Sequence, residues 1–163
     1  MENAELQFQD FFMAVNDEYK DFVHKVKERV LQEGYTIISI GTTKANPFVV
    51  GFTQPKTRRG IVKFYLRKRS FKMIISGKNC ASYPGILSGL PEKMLQQIDK
   101  IQPCLNITTP GKCMDKCVGY DFYIGDVRHQ KCRFGCFQFD VNPENIPFLM
   151  GLLEAELEER AKA

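Results

Sequence analysis

Four short apolar runs, 35–40, 48–53, 61–66 and 71–75, follow one another with no helix-length segment between them. They are rich in Ile, Val, Phe and Tyr, residues that fit a pleated, half-buried surface. Parallel neighbours need a crossover of about a dozen residues, so strands this close in sequence pair antiparallel. The last two runs read as a hairpin that turns through Arg67-Lys-Arg-Ser70.

Helical periods surround this block. Phe8, Phe12, Val15, Tyr19, Phe22, Val26 and Val30 recur at steps of three and four, which predicts a helix over 5–33. Gly34 stands where a helix C-cap is expected, and Asn16-Asp17-Glu18 offers a point at which the helix could split. A second helical region begins near Ser82. Pro91 suits a first turn, and Met94, Leu95, Ile98 and Ile101 form its stripe. Residues 103–117 show no period and read as a loop. Residues 120–124 alternate, Gly125-Asp126 turns, and 133–141 reads as the returning strand. Asn142 and Pro143 are candidates for the cap and first position of a last helix. Phe148, Leu149, Leu152, Leu153 and Leu157 form its apolar face. Glu154, Glu156, Glu158 and Glu159 are expected on its exposed side.

Strands in runs with helices between the runs predict an α+β fold: an N-terminal helix, an antiparallel sheet of about six strands in two runs, two further helices on the sheet, and a Cys-rich loop. A length of 163 residues suits a single domain over 1–163. Its parts are a helical segment 1–33, a basic sheet plus helix 34–101, a Cys-rich loop and hairpin 102–141, and a C-terminal helix 142–163. Thirteen Phe and six Tyr supply a core and exclude a disordered polar chain. No run approaches the ~20 apolar residues of a membrane span. The acidic start, Met1-Glu2-Asn3-Ala4-Glu5, lacks the pattern of a secretory signal, so a cytoplasmic location is expected.

Charge is unevenly placed. Residues 1–33 carry eight acids and four bases, and residues 92–163 carry eleven acids and nine bases. Between them, residues 34–91 hold ten bases, Lys44 among them, and no acid. Seven of the ten, Arg58, Arg59, Lys63, Arg67, Lys68, Arg69 and Lys72, cluster on and around the 61–75 hairpin. Such a cluster is either an anion-binding edge, for nucleic acid or another anionic ligand, or a charged edge that blocks strand-to-strand aggregation. Tyr65 shares a strand face with Lys63, as aromatic residues do in single-strand binders, although aromatic residues are also ordinary in hairpins.

Five of the six Cys fall within a short span, spaced C-x8-C-x3-C-x14-C-x3-C from Cys104 to Cys136, with Cys80 apart. In a reducing compartment, thiols brought together commonly hold zinc in a tetrahedron of four. The preferred ligands are Cys104, Cys113, Cys117 and Cys132, with Cys136 as substitute because it would share a strand face with Cys132. All-thiolate zinc would be structural. The bland reading is free buried thiols. A further alternative is a thiol-dependent enzyme or redox sensor using Cys132 or Cys136 with His129. His24, on the first helix, reads as a surface or satisfied core residue rather than a catalyst. No P-loop, G-x-G-x-x-G, G-x-S-x-G or H-E-x-x-H motif occurs.

Leu90-Pro-Glu-Lys-Met94, Cys104, Gly111-Lys-Cys-Met-Asp-Lys-Cys117, Gly119-Tyr-Asp-Phe122 and Lys131-Cys-Arg-Phe-Gly-Cys-Phe-Gln-Phe139 together resemble an uncharacterised Cys-rich family of Firmicutes, mostly clostridia. The element order is similar to small α+β domains of the YdhG and YjbR type, whose sheet is frataxin-like. Neither resemblance implies a role for any residue here. The expected function is that of a domain with a structural zinc site that binds an anionic ligand through its basic hairpin.

Overall fold

The computed structural model describes residues 2–39 and 48–163, so Ile40 of the first expected strand and Lys44 of the basic segment lie outside the described residues. The fold is α+β, with strands in sheets of five and two. The described residues group into two compact units. One runs up to Ile75 and includes Asp140–Ile146; the other comprises Ser76–Phe139 and Pro147–Ala163. No helix among the described residues is long and apolar enough to cross a membrane.

The first unit opens with α1 (Glu2–Ala14) and α2 (Asp17–Gln32). The split expected at Asn16 is real: Asn16 has an extended backbone, with ψ at 140°, which stops one helix and starts the next. Gly34 ends α2 as expected. Its φ of +80° is in the left-handed region open to glycine, and this lets Gly34 and Tyr35 donate their N–H groups back to Leu31 and Val30.

Strands β1 (Thr36–Ser39), β2 (Phe48–Thr53), β3 (Gly60–Arg67) and β4 (Ser70–Ile75) then pair antiparallel in sequence order. β7 (Gln138–Asp140) takes the fifth place, beside β4. The register stacks apolar residues in cross-strand rows: Phe52, Val62 and Ile75; then Val50, Phe64 and Met73; then Phe48, Leu66 and Phe71. The helices cover this face. Phe8 meets Phe52 with ring centroids 6.1 Å apart, and Phe64 takes Phe11 at 5.6 Å and Phe22 at 6.3 Å. Each ring buried in this way stabilises the unit by about 1.5–3 kcal/mol. The third row is different: Phe48, Leu66 and Phe71 are only half-buried.

The second unit holds a one-turn 3₁₀ helix at Cys80–Ser82, α3 (Pro84–Ser88), α4 (Glu92–Asp99), α5 (Leu105–Thr108), the hairpin β5 (Tyr120–Ile124) and β6 (Val127–Lys131), and α6 (Ile146–Ala161), whose first residue still belongs to the first unit. Its core gathers Phe122, Phe137 and Phe139, with Leu87, Met94, Ile98, Leu149 and Leu153.

Several expectations need correction. Among the described residues, seven strands in two sheets replace one sheet of about six, and four α-helices replace the two expected after the sheet. The region expected as loop over 103–117 contains the single turn α5. The strand expected over 133–141 is not one strand. The return is β6, after which the N–H groups of Gly135 and Cys136 bond back to the Cys132 carbonyl, making a turn that ends at Phe137 with φ +60°. Pro91 is the cap of α4, one residue before its first turn. The last helix starts at Ile146, because the Asn142 side chain accepts the N–H of Asn145 at 2.8 Å and closes a separate turn first. Pro147 then fills a first-turn position, where its missing N–H costs nothing.

Candidate functional site

The hairpin register builds the candidate site. β3 and β4 end at the pair Arg67 and Ser70, leaving Lys68 and Arg69 as the two turn residues. Arg67, Lys68 and Arg69 are all exposed. Directly before them lies the half-buried row of Phe48, Leu66 and Phe71. The α1–α2 corner covers this row only in part and contributes Ala14, Asn16 and Tyr19 to the cleft. The result is a cleft of about 690 Å³ with an apolar wall, a basic rim, and Ser70, Asp140 and Val141 along its remaining side. Three cations face one carboxylate among the described lining residues. The wall is held firmly, since the Phe71 ring contacts Phe64 at 5.7 Å, Tyr19 at 6.0 Å and Phe11 at 6.1 Å. Val141 fixes the far side by donating its N–H to the Phe71 carbonyl at 2.8 Å.

The seven basic candidates do not form one group. Arg67, Lys68 and Arg69 reach the cleft. Lys72 pairs across the strands with Tyr65 and lies 3.6 Å from Asp140, an ion pair open enough to water to contribute little. Lys63 is half-buried opposite Ile74. Arg58 and Arg59 lie before β3, in a loop where Arg58 has φ +53° and donates its N–H to the Gln54 carbonyl. Seven residue steps of β3 separate that loop from the turn, about 23 Å at strand rise.

The cysteines are spread over the second unit. Cys80, Cys104, Cys117 and Cys136 are buried, Cys132 is half-buried and Cys113 is exposed. Segments 102–104 and 130–132 run side by side: Cys104 donates its N–H to the Gln130 carbonyl at 2.8 Å, and Cys132 donates to the Gln102 carbonyl at 3.0 Å. The Asn106 side-chain amide bonds the carbonyls of Met114 and Cys117, fastening the 113–117 loop to α5. Among the described residues no three His, Cys, Asp or Glu side chains converge as a metal site. Cys132 and Cys136 do not share the strand face expected of them, because a turn joins them.

His129 stacks on Phe122 with ring centroids 5.4 Å apart, and its Nδ1 lies 3.7 Å from Asp99. Burial lowers its pKa below the ordinary value, against the opposing pull of Asp99. Cys136 has no solvent exposure, and burial drives its thiol pKa well up. A thiol nucleophile needs the opposite shift.

One charged cluster escaped the sequence reading. Glu156, expected on an exposed face, is completely buried. Its carboxylate accepts the backbone N–H of Asn79 at 3.0 Å, the Tyr83 hydroxyl at 2.8 Å and Arg160 Nε at 2.8 Å. Arg160 also donates to the Ser76 carbonyl at 3.0 Å. Burial, with the Glu156 charge adding to it, raises the Tyr83 phenol and pushes the Cys80 thiol up to about 12. The cluster is fully satisfied and serves to fasten α6 to the segment around Asn79. A signal was available: Leu149, Leu152, Leu153, Glu156 and Leu157 fall on one helical stripe.

Comparison with protein-family models, with curated proteins and with solved structures finds no match to this chain.

Proposed function

We propose that this protein binds an anionic ligand in the cleft at the turn of its basic hairpin. The observation that carries this reading is that Arg67, Lys68 and Arg69 line a cleft of about 690 Å³ beside an apolar row that the helices leave half-buried. That volume is in the range of small-molecule sites. Consecutive cations at a tight turn place several charged donors within reach of one multiply charged group. The proposed setting is the cytoplasm. The protein should be retained on heparin at low salt and released as ions screen the rim. Passage straight through at low salt would contradict the proposal.

A structural zinc on Cys104, Cys113, Cys117 and Cys132 is a second proposal. Its support is the pairing of 102–104 with 130–132 and the Asn106 clamp on the 113–117 loop, which tie together the segments carrying these four thiols. The side chains would have to close onto the ion, with Cys113 turning in from solvent.

A further inference from the structure

We infer that the ligand of the cleft is a phosphorylated small molecule with a flat ring, of which a nucleoside diphosphate is the simplest example. This rests on the anion-binding reading of the same cleft and names the ligand that its walls fit.

The row Phe48, Leu66 and Phe71 sets the ligand class. These three residues are aligned across adjacent strands, with Leu66 opposite both others. At the usual strand spacing they make a platform about 10 Å wide. The two equivalent rows deeper in the sheet are buried beneath α1 and α2, whereas this row is half-buried and faces the cleft. Tyr19 adds an aromatic side wall, its ring 6.0 Å from Phe71. A simple anion such as sulfate or phosphate would use none of this apolar surface. A flat ring laid on the platform would cover it and gain stacking contact.

The two parts of such a ligand match the two parts of the site. Lys68 and Arg69, the turn residues that join β3 to β4, come two and three residues after Leu66 and line the same cleft. A ring on the platform therefore sets its attached phosphates at the turn, where Lys68 and Arg69 stand exposed. Ser70 and Asp140 also line the cleft, Ser70 adding a hydroxyl beside the basic turn and Asp140 lying 3.6 Å from Lys72. Among the described residues, Arg58 and Arg59 do not extend the rim, because they lie at the far end of β3. A short ligand fits this distribution better than a polynucleotide strand does.

Titration calorimetry on the full chain at low salt tests this with inorganic pyrophosphate, adenosine, ADP and a single-stranded oligothymidylate. The expected result is that ADP binds about tenfold or more tighter than pyrophosphate, a difference of about 1.4 kcal/mol. A Lys68→Glu/Arg69→Glu variant with an unchanged melting temperature should lose that binding. Equal affinity for ADP and pyrophosphate would overturn the ring inference and leave the anion-binding reading standing. Binding of the oligonucleotide alone would also overturn it, and would assign the basic rim to nucleic acid. ADP binding untouched by the variant would put the ligand elsewhere. No binding of any of the four would overturn both readings.

Discussion

The Tyr83 hydroxyl donates to Glu156 Oε2 at 2.8 Å, and the carboxylate that receives it has no solvent exposure. Glu156 is the shared acceptor for Tyr83, Asn79 and Arg160, so removing it strands several donors at once. Glu156→Leu removes the carboxylate that neutralises the nearly buried Arg160 guanidinium, which keeps its bond to the Ser76 carbonyl. The expected cost is about 3–5 kcal/mol of unfolding free energy, read from urea denaturation. The double variant Glu156→Leu/Arg160→Leu should recover part of that loss, because the uncompensated charge is gone. A Glu156→Leu protein within about 0.5 kcal/mol of the parent would mean that the carboxylate is solvated in solution.

Thiol reactivity should follow exposure. In the folded protein, iodoacetamide should label Cys113 first and Cys132 next. Cys80 and Cys136, which are buried and have raised thiol pKa values, should react last and only on unfolding. Peptide mass spectrometry over a time course reads the order. The same samples decide the zinc proposal. About one zinc per chain, with Cys113 protected until a chelator is added, supports it. Metal-free protein with rapid labelling of Cys113 contradicts it.

His129 gives the stability a defined dependence on acid. Burial holds the folded residue's pKa below the ordinary 6.5, although Asp99 opposes this. The unfolded chain therefore takes up the proton more readily, and acid favours unfolding. The His129 contribution is complete above pH 6.5 and is lost as the pH falls through that value toward the lower folded pKa. His129→Gln should flatten the fall in urea midpoint just below pH 6.5. An identical fall in the variant would assign it to other groups.

Most of the first unit was legible in the sequence because its signals are local. The Gly34 cap, the break at Asn16 and the 61–75 hairpin each depend on residues within a few positions of one another, and each stands where the pattern puts it. The errors arose where a local pattern admits two readings. The run Arg133-Phe-Gly-Cys-Phe137 is aromatic enough for a strand, yet Gly135 and Cys136 close a turn on the Cys132 carbonyl, a choice made by distant partners. The pattern of the last helix puts Glu156 outside because acidic residues usually are, whereas the donors of Asn79 and Tyr83, far away in sequence, join Arg160 in making its burial tolerable. The basic rim was visible as charge. The platform beside it was not, because the sequence shows that Phe48, Leu66 and Phe71 are apolar and cannot show that the helices leave them half-buried.

The central claim is that the turn of the hairpin, and not basic charge in general, binds the anion. Two double reversals of equal charge separate these: Lys68→Glu/Arg69→Glu at the cleft, and Arg58→Glu/Arg59→Glu at the other end of β3. The measurement is pyrophosphate affinity by calorimetry at low salt, with melting temperatures confirming that both variants fold. The cleft account predicts that the first variant binds at least about tenfold more weakly, since each lost charge-assisted contact is worth about 1.5–3 kcal/mol, while the second stays within about threefold of the parent. Equal losses in the two variants would contradict it and leave only a diffuse basic surface.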